Sequence, residues 1–390
     1  MSINTEFKLA GSSLSLMRYP AKHQHKSLQA WDSADELLLT HWLESQQQTN
    51  NFLLINDEFG ALACGLLQKN TDTDVISSSD SWISQKATTK NLQRNEIEDK
   101  VRYLSSLDTP PDADMVFIKV PRSLALLEWQ LFHISQCTTE RTSVVAAAKV
   151  NMLTPSVFKL FEKYLGKVTT SLAKKKSRLL FCCNEKLNTP APAFPTAFNT
   201  SEQETGKAFT LLNHANVFSR QNLDIGARVM LKHLPELPQG SEQHIIDLGC
   251  GNGVLGMALL ATAPGCHVSF FDESYMALES AKLSIEKNLP EQQANCRFIA
   301  SNCLEGYDTQ VLGSADLVIC NPPFHQQNTV TEHIAWQMFH DAYKVLRPGG
   351  ELRVVANRHL PYGQTLKKRF GGFSVVASEH KFVILSAIKK

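Results

Sequence analysis

The stretch Ile245-Ile246-Asp247-Leu248-Gly249-Cys250-Gly251-Asn252-Gly253 constrains this chain more than any other. A short apolar run that ends in alternating glycines and passes into Val254–Leu260 predicts a buried strand, a tight loop and a helix. Glycines at 249, 251 and 253 carry no β-carbon, so the loop backbone can approach a ligand closely. Asp247 at the strand end can accept from an amino group. Strand signals follow at 267–271, 297–300, 316–320 and 351–356, with helix signals at 274–288 and 333–345. A terminal pair of strands, Phe373–Val376 and Phe382–Leu385, closes the pattern. The expected fold is α/β, a doubly wound and mostly parallel sheet with right-handed crossovers and a final antiparallel hairpin. Ligands in such sheets sit outside the carboxyl ends of the strands, where Asp247, Asp272, Asn302 and Asn321 fall.

Two ligands suit the glycine loop. Gly251-Asn252-Gly253-Val254-Leu255-Gly256 satisfies the dinucleotide pattern G-x-G-x-x-G, with Asp272 about twenty residues later to hold ribose hydroxyls. A methyl donor such as S-adenosylmethionine has ribose hydroxyls too. The Asp247-x-Gly start of the loop favours it, and so does Asn321-Pro322-Pro323-Phe324 after the apolar run Leu317–Cys320, which hydride transfer does not need. A planar exocyclic amine is a poor nucleophile until it is held and made pyramidal. The side-chain carbonyl of Asn321 can accept one N–H and the backbone carbonyl of Pro322 the other, while two prolines stiffen the turn and Phe324 can stack on a base. Asn-Pro-Pro is also simply a turn after a strand, so the pattern alone leaves both readings open. Asn302, after Phe298-Ile299-Ala300, suits an adenine edge and a turn equally.

A chain of 390 residues suits two domains. The proline-rich, aperiodic segment from Leu187 to Gly206 reads as a linker, giving domains 1–186 and 207–390. The first half reads as a worn copy of the second. Phe52–Asn56, Gly60 and Gly65 parallel His244–Asp247, Gly251 and Gly256 at an offset of 191, and Asp114–Arg122 parallels Asp316–Phe324 at 202. At that alignment Glu58 and Leu62 replace Gly249 and Gly253, and Lys119-Val120-Pro121-Arg122 replaces the Asn-Pro-Pro-Phe. The expected result is a first half without a cofactor. Its run Lys174-Lys175-Lys176-Ser177-Arg178 reads as a solvated edge or as a nucleic-acid contact.

Net charge discriminates little, because 39 basic and 38 acidic residues leave +1. Nine cysteines without a C-x-x-C pair, and no signal peptide or long apolar span, point to reduced thiols in a cytoplasm and to no membrane. Cys250 and Cys320 read as space-filling thiols. His333 and His340 lack a metal-ligand spacing, and no metal site is expected.

Together, Asp247–Gly253, Asp272 and Asn321–Phe324 resemble the motifs of class I S-adenosylmethionine-dependent methyltransferases. His214–Arg220 with Leu223–Arg228, and Ala356–Tyr362, resemble the two-domain ribosomal RNA guanine methyltransferases. The resemblance to the large-subunit ribosomal RNA methyltransferase G family runs end to end, from Leu28–Glu36 to Asn321–Gln327; the small-subunit methyltransferase C family is its sister. It implies two tandem class I (Rossmann-like) folds, the N-terminal one degenerate and serving as an RNA platform. It also implies in-line methyl transfer to the N2 amine of one guanosine in 23S ribosomal RNA, on protein-free or partly assembled RNA, by a monomer. Asn321, Pro322, Pro323 and Phe324 are the expected catalytic set. Asp247, Gly249, Gly251, Gly253, Asp272, Asn302 and Phe218 are the expected donor site, and Arg220 with Lys174, Lys175, Lys176 and Arg178 the expected RNA contacts. Guanine methylation of 16S RNA, methylation of a protein glutamine, and a scaffold with a residual donor pocket are the alternatives.

Overall fold

The computed structural model describes residues 4–21, 28–45, 49–185, 187–238, 242–308, 312–323 and 330–390. Two units result, Met1–Ala193 and Phe194–Lys390. The first runs through β1 (Glu6–Leu9), β2 (Ser12–Ser15), α1 (Ser33–Ser45), β3 (Asn51–Ile55), α2 (Ala61–Lys69), β4 (Asp74–Ser79), α3 (Trp82–Arg94), β5 (Arg102–Ser105), β6 (Met115–Lys119), α4 (Leu124–Cys137), β7 (Ser143–Lys149), α5 (Pro155–Leu165), β8 (Val168–Thr170) and β9 (Ser177–Cys182). Phe52 to Ile55 of β3 are all buried, as a strand covered on both faces requires. Ser81 and Ser123 start α3 and α4 by accepting from the N–H groups of Ser84 and Leu126. The strands lie in the order β5-β4-β3-β6-β7-β9-β8, the first five parallel and β9 antiparallel between β7 and β8.

The second unit repeats this plan. After β10 (Thr196–Asn199), α6 (Glu202–Thr205), β11 (Thr210–Asn213) and α7 (Ile225–Leu231) come β12 (His244–Leu248), α8 (Val254–Thr262), β13 (His267–Asp272), α9 (Tyr275–Asn288), β14 (Cys296–Ala300), β15 (Ala315–Cys320), α10 (Val330–Val345), β16 (Leu346–Asn357), α11 (Tyr362–Phe370), β17 (Ser374–Glu379) and β18 (Phe382–Ile388). Its order is β14-β13-β12-β15-β16-β18-β17. Helix α8 is buried from Val254 to Leu260, which explains why it carries no charged residue. The expected α/β architecture, with its closing hairpin, is present in both halves.

Two expectations change. The segment 187–206 contains more than a linker: β10 pairs with β11, and Phe198 packs against the second unit's core. Proline and small polar residues on either side hide a strand only four residues long. The repeat also has a different offset around the glycine loop. The strand β3 pairs Asn51 with Asp74, just as β12 pairs His244 with His267, and Gly60 and Gly253 occupy the same left-handed cap, at φ 78° and 77°. The shift is therefore 193 residues, so Gly60 matches Gly253. Asn56, Glu58 and Leu54 stand at the places of Gly249, Gly251 and Asp247. Aligning glycine with glycine misled the sequence comparison because the cap, which needs positive φ, is the third glycine of the loop and not the second.

Candidate active site

Register brings the expected loop residues together. Asp247 and Leu248 of β12 lie beside Phe270 and Phe271 of β13 on one side, and beside Ile319 and Cys320 of β15 on the other. The loop after β12 and the Asn321-Pro322-Pro323 segment after β15 thus leave adjacent strands at the same end of the sheet. Gly249 and Cys250 donate backbone N–H bonds to the Phe271 carbonyl, and Gly251 donates to the Asp272 carboxylate at 3.0 Å. The other Asp272 oxygen accepts from the Ser274 N–H at 3.0 Å.

Asp247 is 1% exposed, and one of its oxygens accepts from the Gly256 N–H at 2.9 Å near the start of α8. Burial, with the charge of Asp272 adding to it, raises its carboxyl to about 8. Such a carboxylate favours a cationic neighbour. The glycines around it have different reasons. At Gly256 a β-carbon would meet the Phe270 ring at 2.4 Å and the Asp247 carboxylate at 3.1 Å, so packing excludes a side chain there. At Gly251, φ 54°, a β-carbon would have nothing within 4 Å, so the loop lies open on that side. Burial raises the Cys250 and Cys320 thiols well above their ordinary value, which leaves neither a thiolate nucleophile at neutral pH.

The decisive polar atom is on Asn321. Its Nδ2 donates to Asp224 Oδ2 at 3.0 Å, while its Oδ1 is buried and has no hydrogen-bond partner among the described residues. A buried carbonyl left in that state costs about 1–3 kcal/mol unless a ligand donor satisfies it. Asp224 caps α7 with the same oxygen, accepting from the Ala227 N–H at 2.9 Å.

Residues 4–186 match a family model described as the RLMG N-terminal domain, and residues 208–386 match the methyltransferase small domain. Ribosomal RNA large subunit methyltransferase G of Pseudoalteromonas atlantica is 48% identical over 100% of both chains. The protein of the same name from Erwinia tasmaniensis is 46% identical over 99% of both. The chain belongs to the ribosomal RNA large subunit methyltransferase G family. A solved structure with the same fold, the 16S rRNA N2 G1207 methyltransferase of T. Thermophilus in complex with AdoMet and guanosine, aligns with TM-score 0.76. It is 20% identical and the alignment covers 99% of this chain and 98% of that one.

Within this methyltransferase G family member the remaining expected residues are less uniform. Phe324 and the adjacent His325–Gln327 lie outside the described residues. Asn302 donates from its side-chain amide to Glu305 at 2.9 Å within a turn, and its backbone carbonyl accepts from the Glu305 N–H. Phe218 is 60% exposed, and so is Ile225 at 63%, one on each side of Asp224 in the chain. Arg220 is held inside its own unit, donating to the Ala215 carbonyl at 3.0 Å and lying over the Phe194 ring. In the first unit, Lys175 and Lys176 form the tight turn between β8 and β9, at φ 50° and 63°, and Lys175 pairs with Glu36. Arg178 follows on β9 and is half-buried. The sequence reading missed Asp224 as a partner of Asn321, because nothing local marks a contact spanning 97 residues.

The first unit is closed at the corresponding place. Asp57 takes the N–H groups of Leu62 at 3.3 Å and Ala63 at 2.9 Å with its own carboxylate from within the loop. Lys119, at the position of Asn321, is 8% exposed and lies 2.8 Å from Asp35 and 3.7 Å from Asp32. Burial opposes its charge, but Asp35, Glu58 and Asp32 hold the ammonium above its ordinary range. Among the described residues no group of three or more His, Cys, Asp or Glu side chains converges to hold a metal ion. No helix among them is long and apolar enough to cross a membrane.

Proposed function

We propose that this chain methylates the N2 amine of a specific guanosine in 23S ribosomal RNA, using S-adenosylmethionine and direct in-line transfer. One observation carries the reading most: the buried Oδ1 of Asn321, without a partner among the described residues, follows β15, the strand next to the one that leads into the Gly249–Gly253 loop. An amine that donates an N–H satisfies that oxygen. The names carried by relatives at 48% and 46% identity support the substrate.

The residues present fit the donor. S-adenosylmethionine, when bound, supplies an electrophilic methyl group on a sulfonium. Asp247 accepts from the ammonium of the methionine part, a positive charge that also relieves the cost of its own buried carboxylate. Gly251 leaves the backbone bare where the donor lies. Asp272, at the end of β13, accepts from the ribose hydroxyls, and Asn302 meets the adenine edge. Asn321 accepts one N–H of the guanine amine and the Pro322 carbonyl accepts the other, which turns the nitrogen lone pair towards the methyl. Phe324 stacks on the base, and Phe218 covers the donor. No general base is assigned, because the product nitrogen loses its proton after attack and water can take it.

A guanosine inside a duplex has to be unstacked before it can enter such a pocket, so protein-free or partly assembled RNA is the substrate. The first unit, with its loop N–H groups already taken by Asp57, serves as an RNA platform, and the protein acts as a cytoplasmic monomer. Replacing Lys174, Lys175 and Lys176 with alanine is expected to lower the salt slope of RNA binding by about 1 to 2, since each phosphate contact contributes about 0.7–0.9 and Lys175 is already paired. An unchanged slope in filter binding across a salt series would remove this hairpin from the RNA surface.

The glycine loop provides a second check. Gly251→Ala is expected to cost about 1–2 kcal/mol of stability through backbone strain, yet to weaken S-adenosylmethionine at least tenfold in calorimetry. Gly256→Ala is expected to act by overpacking, costing about 1–3 kcal/mol. Equal donor affinity in Gly251→Ala would place the donor elsewhere. The reaction is tested by transferring labelled methyl to purified large- and small-subunit ribosomal RNA separately, followed by nucleoside analysis. Methylated guanosine from large-subunit RNA alone is expected; label confined to small-subunit RNA, or in neither, overturns the assignment.

A further inference from the structure

Building on the role proposed for Asn321, we infer that Asp224 is a positioning residue that selects which end of the Asn321 amide faces the substrate. An asparagine amide has two nearly isosteric orientations that exchange its oxygen and its NH2. A carboxylate can only accept. With Asp224 Oδ2 at 3.0 Å from Nδ2, the NH2 end is tied to the helix cap and the oxygen is turned away from it, buried and without a partner among the described residues. The reverse orientation would set two oxygens against each other at Asp224 and point a donor at the donor N–H of the base. The pair therefore selects for a hydrogen-bond donor: an amine is accepted, and a carbonyl edge such as guanine O6 is repelled. Loss of Asp224 leaves the amide free to populate both orientations.

The first unit supports this assignment independently. Its α1 packs on β7 and β9 as α7 packs on the equivalent β16 and β18, and Asp32 at the head of α1 accepts from the Ala34 N–H at 2.9 Å. The last residue of the fourth parallel strand, Lys119, which matches Asn321 in the repeat, again reaches the acids at that helix head, at 3.7 Å from Asp32 and 2.8 Å from Asp35. Both units thus anchor this residue on a carboxylate. An ammonium held in this way turns no carbonyl into the site, whereas an amide does.

Because Asp224 also caps α7, the variants must separate the two roles. Asp224→Ser keeps a capping oxygen but is too short to reach Asn321, whereas Asp224→Asn retains an acceptor for both bonds. Full-length Asp224→Ser is expected to bind S-adenosylmethionine within about threefold of the parent in calorimetry and to keep its KM for large-subunit RNA. Its kcat falls on the order of a hundredfold, as expected when a group that positions the reacting atom is lost. Asp224→Asn recovers kcat to within about tenfold of the parent, and Asp224→Ser adds no further loss on an Asn321→Ala background. Parental kcat in Asp224→Ser, or a full additional loss on the Asn321→Ala background, would overturn the positioning role. So would a loss of donor affinity and melting temperature that matches the loss of kcat, since it would show a cap alone. Failure of the underlying reading looks different: an Asn321→Ala enzyme with full activity removes the catalytic assignment itself, whatever Asp224 does.

Discussion

Asn321→Ala is expected to lower the single-turnover rate of methyl transfer by roughly 10²–10³-fold, the usual effect of removing one preorganised polar group from a reacting centre. S-adenosylmethionine affinity should change little, because the proposed role of Asn321 is to hold the acceptor and not the donor. The expected pattern is thus a loss of kcat with donor Kd retained. The stability effect should be small: the variant deletes a carbonyl that has no partner among the described residues and is destabilising where it stands, together with one hydrogen bond to Asp224. Rapid-quench assays with labelled donor and large-subunit RNA give the rate. Retention of the parental rate would sink the catalytic assignment of the Asn-Pro-Pro segment.

Asp247→Asn should stabilise the donor-free second unit and disable it at once. The Asp247 carboxyl is held at about 8 in the fold against an ordinary value of 3.8, so the folded state binds a proton more tightly than the unfolded chain does. Its contribution to stability is complete below about pH 4 and is lost as pH rises to about 8, at about 1.4 kcal/mol per unit where the two states differ by a full proton. Asparagine cannot ionise, but its carbonyl can still accept from the Gly256 N–H. At pH 8.5 the thermal transition that S-adenosylmethionine shifts in the parent should therefore lie higher in the variant, by about 5–10 °C after allowing for relaxation around the carboxylate. At pH 4 the two should melt within about 2 °C. Loss of a charge-assisted bond to the donor ammonium should weaken S-adenosylmethionine by roughly 10–100-fold. Identical melting of parent and variant at both pH values would contradict the electrostatics assigned to this strand end.

Much of the second unit is legible in its residues because its signals are local. Apolar runs of four to six residues, glycines at 249, 251 and 253, and serine or aspartate before a helix each act through neighbours in the chain. Strands were placed to within a few residues, with the largest discrepancy in β16, which starts at Leu346 instead of 351. Arg347-Pro348-Gly349-Gly350 reads as a turn by composition, yet tertiary pairing with Ala315 draws the strand's start back to Leu346. The hairpin of Thr196–Asn199 with Thr210–Asn213 was obscured for the complementary reason: four residues are too few to show a period.

The sequence by itself determined the doubly wound sheet, the duplicated plan, and the meeting of Asp247, Asp272 and Asn321 at the carboxyl ends of neighbouring strands. These follow from hydrophobic periodicity and from turn chemistry, which are properties of contiguous residues. Only the tertiary structure decided the 193-residue register of the two loops and the closure of the first one by Asp57 and Lys119. It also decided the orientation of the Asn321 amide against Asp224. Those outcomes depend on hydrogen bonds and ion pairs between segments far apart in the chain, where the direction of a donor or acceptor leaves no periodic trace.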